Sequence, residues 1–246
     1  MGLVFHPGGI LNEGIATISN STISGNSAKY IGGIDNRGTM IISDSTISEN
    51  RAYWYGSVSG IYNSGILTIS NSTLTRNSAG NIDLAGYPCI SNSGILAISH
   101  STISKNYAGG ISNSGTATIS GSTISENVDR GISNSGSMTI YDSIISGNTG
   151  KWSSGGILNW GDLLVGGSTQ IVNNTASEYG GGIQSYDGSV TLDGANIVIK
   201  FNKAHQPYPL PAGAPWYQQY GIYMTGVPIT QNGFNAAIQV TDNTYL

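Results

Sequence analysis

Apolar and polar residues alternate in three short runs within residues 110–130, and the same order recurs along most of the chain. In this copy Ala117, Ile119 and Ile124 face one way, and the hydroxyl side chains between them face the other way. Alternation with a period of two over such short runs predicts β-strands, which Ile and Thr also favour. Three strands and their turns fit within the 21 residues that separate Gly110 from the next copy at Gly131.

Seven of the eight copies of the pattern open on a Gly-Ile pair, and successive copies begin 21 to 29 residues apart. A unit of this size cannot bury its apolar side alone, so the copies must stack. The sequence therefore predicts an all-β solenoid, a parallel β-helix over residues 1–203 with about eight coils, here called rungs, of three short strands each. The rungs begin at Gly9, Gly33, Gly60, Gly110, Gly131, Gly156 and Gly182, with Cys89 taking the same place in one copy.

Stacked rungs predict columns of like side chains along the axis of the solenoid. Four apolar columns are expected to form the core, in which each buried Ile contributes about 1.5–3 kcal/mol. Their central members are Ile111, Ala117, Ile119 and Ile124. Two asparagine columns pass through Asn113 and Asn127. Amides stacked in register hydrogen-bond one another and the turn backbone, so we interpret these columns as structural ladders and not as ligands.

The repeat breaks after Asn202, and residues 204–246 contain five of the seven prolines of the chain. Proline lacks the N–H group that a strand ladder needs, so this segment is predicted not to form another rung. We expect a Pro/Tyr-rich cap or loop that covers the end of the stack, because free strand edges invite pairing with other chains. Residues 236–240 alternate again and could form a last strand.

The amino-acid composition of the chain limits the kinds of partner that it can bind. Only 9% of the residues are charged, against about a quarter in ordinary soluble proteins. The net charge of -4, with no basic run, argues against nucleic acid as a partner. No apolar run approaches the ~20 residues of a membrane-spanning helix, and the single cysteine, Cys89, excludes an internal disulfide. No metal or cofactor is predicted.

The longer copies carry their extra residues at one place, between the second asparagine of a rung and the next Gly-Ile pair. Insertions collected at one corner form loops on one edge of a solenoid, often the binding edge. Aromatic residues concentrate there, and exposed Tyr and Trp suit stacking on sugar rings or on a protein partner. The alternative is that these rings pack against one another and close the corner. The candidate binding residues are Tyr53, Trp54, Tyr55, Tyr87, Tyr107, Trp152 and Tyr179.

The Gly-Gly-Ile starts, such as Gly109-Gly110-Ile111, and the turns, such as Ile103-Ser104-Lys105-Asn106, resemble the repeats of chlamydial polymorphic outer-membrane proteins and related bacterial surface β-helices. The resemblance covers about residues 8–202, with Ile where that family has Phe. It implies a right-handed parallel β-helix that is extracellular or at the cell surface. It also implies a non-enzymatic adhesin or binding module, whose partner is a glycan or a host or cell-surface protein. End-to-end self-association is a further expectation.

A second interpretation rests on the outward hydroxyl columns, which resemble the flat Thr arrays of solenoid antifreeze proteins and imply ice as the partner. Ser replaces Thr in one column, and Ile144 interrupts the other. Ser and Thr also simply suit exposed strands. The residues of this candidate ice-binding face are Thr22, Ser24, Thr46, Ser48, Thr73, Thr75, Thr102, Ser104, Thr123 and Ser125.

A third interpretation is a polysaccharide lyase or a glycoside hydrolase of the β-helix type. Such enzymes need paired carboxylates, or carboxylates that bind calcium, beside the bond that is cleaved. The densest polar group lies near the last predicted rung, and nothing in its spacing fixes a catalytic geometry, so no catalytic residue is assigned. This group contains Asp187, Asp193, Lys200, Lys203 and His205.

Overall fold

The computed structural model describes residues 6–54, 56–80, 88–151, 154–177, 179–186, 188–194, 196–204, 222–225, 230–232, 239–241 and 243–245. All regular structure in these ranges is β-strand, arranged as three nine-stranded parallel sheets, A, B and C, and two smaller sheets of corner strands. Each rung contributes one strand to sheet A, one to sheet B and one to sheet C, in that order. The chain is therefore a parallel β-helix, as the repeat predicts.

The strands are short and recur at the same places in every rung. Sheet A consists of Ile10–Asn12, Ile34–Asn36, Ile61–Asn63, Pro88–Asn92, Gly109–Asn113, Ile132–Asn134, Ile157–Asn159, Ile183–Tyr186 and Ile222–Thr225. Sheet B consists of Ile15–Ser19, Thr39–Ser43, Ile66–Ser70, Ile95–Ser99, Thr116–Ser120, Ser137–Tyr141, Asp162–Gly166, Ser189–Asp193 and Thr230–Asn232. Sheet C consists of Thr22–Ser24, Thr46–Ser48, Thr73–Thr75, Thr102–Ser104, Thr123–Ser125, Ile144–Ser146, Gln170–Val172, Val198–Lys200 and Gln239–Thr241. The corner strands are Ser27–Ala28, Arg51–Ala52, Ser78–Ala79, Thr149–Gly150, Thr175–Ala176, Lys203–Ala204 and Thr244–Tyr245.

The four predicted apolar columns form one continuous core between the three sheets. Ile111 pairs in register with Ile90 and Ile132, and the columns through Ala117 and Ile119 keep the same register. The column through Ile124 extends further than the sequence pattern suggests, because Ile171 and Ile199 continue it and are fully buried. Burial raises the pKa of the Cys89 thiol to about 12, because the thiolate would lose its hydration inside the core.

Both predicted asparagine ladders are present. In the first, Asn113 Nδ2 donates to Asn134 Oδ1 at 2.8 Å and to the carbonyl oxygen of Ser137 at 3.1 Å. In the second, Asn106 Nδ2 donates to Asn127 Oδ1 at 2.9 Å, and Asn106 Oδ1 accepts from the backbone N–H of Asn77 at 3.0 Å. The second ladder also includes Asn174 and Asn243, which the sequence pattern missed. These amides satisfy turn backbone groups that would otherwise be buried without partners.

A third polar ladder, not predicted from the sequence, lies at the turn between sheets B and C. The buried hydroxyl Oγ of Ser122 accepts from the backbone N–H of Ser101 at 3.1 Å and donates to the carbonyl oxygen of Ser120 at 2.7 Å. Ser45, Ser72, Ser101 and Ser143 repeat this arrangement. The residue before each of these serines has a positive φ, such as His100 at 47° and Asp142 at 48°, which is the left-handed conformation that a tight turn requires.

The prediction that the segment after residue 203 forms no further rung is wrong for its described strands. Ile222 pairs with Ile183 in sheet A, Thr230 with Thr191 in sheet B, and Val240 with Ile199 in sheet C. The last of these strands, Gln239–Thr241, overlaps the strand expected at residues 236–240. The prolines misled the prediction because none of those at positions 207, 209, 211, 215 and 228 belongs to the strands Ile222–Thr225, Thr230–Asn232 and Gln239–Thr241, so these strands keep their N–H groups. A cap formed by the remaining residues stays a prediction, since they lie outside the described ranges.

Candidate ligand-binding face

One side of the β-helix differs from the other two in its polar chemistry. We define the sheet A face as the outward side chains of sheet A together with the connecting segments that lead into it from the second asparagine ladder. Its outward side chains are Leu11, Asp35, Tyr62, Ser91, Ser112, Ser133, Leu158 and Gln184. The insertions predicted from the sequence fall in its connecting segments, so this face and the aromatic edge belong to the same side of the molecule.

Buried polar atoms without a hydrogen-bond partner collect on the sheet A face. Across the described residues, every such side-chain atom lies there, and none lies on the outward side of sheet B or sheet C. These atoms are Asp35 Oδ1, Ser57 Oγ, both carboxylate oxygens of Asp129, Arg130 Nε, Ser154 Oγ and Gln184 Oε1. A buried polar group left unpaired costs about 1–3 kcal/mol. Groups of this kind in a folded protein call for a specific explanation, and a ligand that pairs with them is one.

Three of the seven predicted aromatic residues are exposed on this side. Tyr53, Trp54 and Tyr107 expose 57%, 50% and 55% of their surface. Tyr179 is half-buried and makes contacts of its own. The other three, Tyr55, Tyr87 and Trp152, lie outside the described residues. About half of the surface of each of these three side chains is therefore open to solvent, and the binding edge stays a prediction.

Lys29 and Tyr30 form a small cluster with Trp54 at the N-terminal end of this edge. Lys29 Nζ lies 4.1 Å from the centroid of the Trp54 ring and 5.1 Å from that of Tyr30. The Tyr30 and Trp54 rings meet edge to face, with centroids 6.4 Å apart. The backbone N–H of Trp54 donates to the Lys29 carbonyl oxygen at 3.0 Å, which fixes the two rungs relative to each other. The cation and the edge contact hold the Trp54 ring in place while half of it stays exposed.

A small pocket opens on the sheet A face around Gly109. It has a volume of about 40 Å³ and is lined by Pro88, Gly109, Ile111, Ser112, Asp129, Arg130 and Ser133. Asp129 is only 2% exposed, and its Oδ2 lies 3.3 Å from Arg130 Nε. Sequence reasoning missed this site because Asp129 and Arg130 interrupt the repeat at one rung only and match no known motif.

Two other features of this side were also missed from the sequence. Trp160 and Tyr186 stack across two rungs at the turn from sheet A to sheet B, with centroids 5.8 Å apart and planes 21° apart. The buried Asp35 carboxylate accepts from Arg37 at 2.8 and 3.0 Å, and Arg37 also pairs with Glu13 at 3.1 Å. The hydrogen bond to Asp35 is the main reason that the pKa of Arg37 is raised.

The predicted hydroxyl columns lie in register on the outward side of sheet C. Thr73 pairs with Thr46 and Thr102, and the neighbouring column follows the same register through Thr75. Thr22 and Ser24 in the first rung are exposed, and the later members, Thr46, Ser48, Thr73, Thr75, Thr102, Ser104, Thr123 and Ser125, are half-buried. Beyond Thr123 the first column continues through Ile144, Gln170 and Val198, so the hydroxyl array spans five rungs.

The polar group considered for catalysis is dispersed among structural contacts. Asp193 Oδ2 accepts a hydrogen bond from the Tyr141 hydroxyl at 3.0 Å, which raises the pKa of Tyr141. Lys200 Nζ lies 4.7 Å from the Phe201 ring, and Lys203 is exposed on a corner strand. Asp187 and His205 lie outside the described residues. Where the structure is described, no three His, Cys, Asp or Glu side chains come close enough to hold a metal ion.

The family described as a right handed beta helix region matches residues 33–245. The chain belongs to the right-handed β-helix family. Its repeats, parallel register and stacked core are the features of that family. The narrower resemblance of this β-helix to chlamydial surface proteins stays a prediction. No helix in the described ranges is long and apolar enough to cross a membrane.

Solved structures of similar fold include the periplasmic alginate epimerase AlgG and a double mutant of it. They match 97% and 96% of this β-helix and 70% of their own chains, at 12% sequence identity and TM-scores of 0.46 and 0.44. The A-module of the mannuronan C-5 epimerase AlgE4 from Azotobacter vinelandii matches 92% of this chain and 73% of its own. Its identity is 12% and its TM-score is 0.38. No curated protein sequence matches this chain.

Proposed function

We propose that this protein is a non-enzymatic carbohydrate-binding β-helix that holds a glycan along its sheet A face. The observation that carries the proposal is the convergence of two features on one side of the molecule. Exposed aromatic rings line the edge of the face, and unpaired buried polar atoms lie within it. Neither feature is needed to hold the stack together, because the apolar core continues from Ile10 to Ile199 without these side chains, and the polar ladders run beside it.

The two features match the two kinds of surface that a sugar ring presents. The C–H faces of a pyranose pack on the faces of Trp54 and Tyr53, whose rings combine an apolar body with a polar tip. The hydroxyl groups around the ring can donate to Asp35 Oδ1 and Gln184 Oε1, which lack donors in the protein. Rungs about 4.8 Å apart present such groups at regular intervals along the axis, which suits an extended chain of sugars.

Substitution of Trp54 tests this proposal. Oligosaccharides that bind on a glycan array would be titrated by calorimetry into the wild type, Trp54→Ala and Phe201→Ala. Phe201 is a matched control, because it is 48% exposed beside Lys200 as Trp54 is beside Lys29, yet it precedes the second asparagine ladder and lies off the sheet A face. We expect Trp54→Ala to weaken binding at least tenfold, or about 1.4 kcal/mol, with little change in melting temperature.

Equal affinity of Trp54→Ala and Phe201→Ala for every oligosaccharide that binds the wild type would contradict the proposal. A melting temperature that falls steeply in Trp54→Ala would instead show that this ring closes the corner. We also propose that the protein works outside the cytoplasm, in the cell envelope or at the cell surface, as its resemblance to surface β-helices suggests. Fractionation of the source cells tests this location, and recovery only in the cytoplasmic fraction would contradict it.

A second candidate function, ice binding, is favoured by the register of the hydroxyl columns on sheet C. The array is uncharged, and its five rungs follow one another without a break in pairing. Replacing Thr73 and Thr102 together by Lys would place hydrated charges at its centre, on strand positions that tolerate such changes. On this hypothesis the wild type shapes ice crystals and shows thermal hysteresis, and the double variant does neither. Round ice crystals with the wild-type protein at high concentration would eliminate it.

A further inference from the structure

We infer that the pocket around Gly109 is a discrete subsite that binds two neighbouring hydroxyl groups of an uncharged sugar residue. This inference rests on the proposed carbohydrate-binding function and names the chemistry of one position within it. The site lies in the middle of the sheet A face and takes its residues from three consecutive rungs. It contains a cavity, a buried carboxylate without a hydrogen-bond partner, and a set of hydroxyl and guanidinium groups around them.

The pocket exists because one position in an outward column lacks a side chain. Pro88, Gly109 and Arg130 occupy equivalent positions in successive rungs, so Gly109 leaves a gap between two large residues. A Cβ atom at Gly109 would come 3.2 Å from the Arg130 carbonyl oxygen and 3.7 Å from Arg130 Cγ, so the stem of Arg130 forms one wall. At Gly32, Gly155 and Gly181 the same column is closed by backbone atoms. The gap is therefore specific to this rung.

Asp129 supplies the strongest reason to expect a ligand. Both of its carboxylate oxygens are buried and accept no hydrogen bond from the protein. Its φ of 142° is rarely adopted by residues other than glycine, and it is held there by an N–H bond to the Thr149 carbonyl oxygen at 2.9 Å. Strained backbone and a buried carboxylate that accepts no hydrogen bond both destabilise the free protein, even with Arg130 Nε 3.3 Å away, and they persist together mainly where a ligand or a mechanism uses them.

The surrounding groups select the ligand class. Asp129 offers two acceptors, and Arg130 Nε offers a donor without a partner, so hydroxyl groups that both donate and accept match the pair. Ser112 and Ser133, half-buried on the outward side of sheet A, add two more hydroxyl groups that can donate or accept. A metal cation would find one carboxylate with a guanidinium 3.3 Å away, and an anionic sugar would meet the Asp129 charge.

The size of the pocket agrees with a pair of hydroxyl groups. A cavity of about 10–15 Å³ holds one water-sized group. The pocket volume of about 40 Å³ therefore holds roughly three such groups. That is enough for two adjacent hydroxyl groups and part of their carbon atoms, and too little for a whole sugar ring. The remainder of the ring would lie outside the pocket, over the sheet A face.

Fragment binding measured by NMR tests the inference directly. The 15N-labelled full chain would be titrated with cis-1,2-cyclohexanediol, cyclohexanol and cyclohexanecarboxylate, which differ only in the groups presented to the pocket. We expect the diol to shift the amide signals of Ser112, Asp129, Arg130 and Ser133 in a saturable way. We expect cyclohexanol and cyclohexanecarboxylate to shift them at least tenfold less at equal concentration.

Two variants and one control separate this inference from its alternatives. Asp129→Asn keeps the shape and removes the charge, and Ser112→Leu fills the pocket from an outward strand position, should Asp129→Asn fail to fold. Both are expected to abolish the diol shifts. Asp44→Asn makes the same charge change at an exposed turn away from the sheet A face, where the equivalent positions of neighbouring rungs are Asn20 and Asn71, and it should leave them unchanged.

The outcomes also separate this inference from the proposed function. If no diol shift occurs, or if cyclohexanecarboxylate shifts the same amides as strongly, the inference is overturned and the pocket holds solvent or an anion. If oligosaccharides bind the wild type and Asp129→Asn with equal affinity, the subsite is wrong and the carbohydrate-binding function stands. If the diol binds in the pocket but no oligosaccharide binds the protein, the subsite stands and the proposed glycan function fails.

Discussion

The sheet A face and the sides formed by sheets B and C are built on the same repeat but end in different chemistry. On sheets B and C, most outward strand positions carry hydroxyl or aliphatic side chains, and the described buried polar atoms at their turns are paired in serine and asparagine ladders. On the sheet A face, buried carboxylate, amide and hydroxyl atoms lack partners, and aromatic rings are exposed at its edge. The residues that recur in every rung account for the stability of the stack, and the residues proposed to bind a ligand are those that depart from the repeat.

This difference between the sides indicates which positions of a solenoid are candidates for a functional role. A side chain that recurs in every rung is fixed by its neighbours above and below, so its role is structural. Asp129, Arg130 and Trp54 occur once each in their columns, and their chemistry is not demanded by stacking. Substitutions should therefore divide into two groups, with large losses of stability in the repeated columns and small losses on the sheet A face.

The largest effect is expected in the apolar core. Ile111 is 1% exposed and packs between Ile90 and Ile132. Ile111→Asn removes about 2 kcal/mol of burial and leaves an unpaired amide that costs about 1–3 kcal/mol. We expect the free energy of unfolding to fall by about 3–5 kcal/mol, measured by urea denaturation. Unfolding at the wild-type urea concentration would contradict the assigned register.

A somewhat smaller loss is expected in the second asparagine ladder. Asn106→Ala leaves the Leu74 carbonyl oxygen and the Asn77 N–H without their partners inside the stack. Two buried groups at about 1–2 kcal/mol each predict a loss of about 2–4 kcal/mol. Ser104→Ala, two residues away on the outward side of sheet C, serves as the control and should change stability by less than about 0.5 kcal/mol. Equal losses in the two variants would show that the ladder does not carry this stability.

The glycines at the turn from sheet A to sheet B offer a matched pair. A Cβ atom at Gly94 would lie closer than 3.0 Å to the backbone of Ser64 and Gly65 in the rung before, whereas a Cβ atom at Gly14 meets nothing within 4 Å. We expect Gly94→Ala to destabilise by about 1–3 kcal/mol and Gly14→Ala to be neutral within about 0.5 kcal/mol. Thermal unfolding of the two variants side by side measures the difference, and similar midpoints would disprove the close stacking of these turns.

The smallest effect is expected at the aromatic edge. Tyr107 is 55% exposed and replaces Ser78 of the preceding rung in its column. Tyr107→Ser should therefore change the free energy of unfolding by less than about 0.5 kcal/mol while weakening glycan binding. Calorimetric titration and urea denaturation of the same preparation check both parts. A loss of stability as large as that of Asn106→Ala would contradict the proposal that side chains on the sheet A face contribute little to stability.

The fold could be predicted from the sequence because the same pattern of apolar residues and asparagines recurs from rung to rung. Seven Gly-Ile starts, one Cys-Ile start and two asparagine columns determine strand register without ambiguity, since a shift by one residue would turn every Ile outward. Of the ninth strands of the three sheets, only the one near residues 236–240 was expected. The pair Gly221-Ile222 does repeat the Gly-Ile start, but the prolines at positions 207, 209, 211, 215 and 228 favoured a loop over strands at Ile222 and Thr230. They pair because the preceding rung offers them a free strand edge.

The candidate site was predicted only in part, because its residues do not recur from rung to rung. The aromatic edge was visible because insertions and rings fall in the same gap of the repeat. The Asp129 pocket was not, because its properties depend on burial, on the positive φ of Asp129 and on the empty position at Gly109 between Pro88 and Arg130. These three properties arise only when the rungs stack, so they cannot be predicted from the sequence alone.

Hydroxyl-radical footprinting with and without a bound oligosaccharide tests the central claim most directly, because it reports the solvent access of each aromatic side chain. If the glycan lies on the sheet A face, Tyr53, Trp54 and Tyr107 become protected, while Tyr141 on sheet B and Phe201 beside sheet C keep the same oxidation rate. Protection of Tyr141 or Phe201 with unchanged rates at Tyr53, Trp54 and Tyr107 would place the ligand on another side and contradict the account.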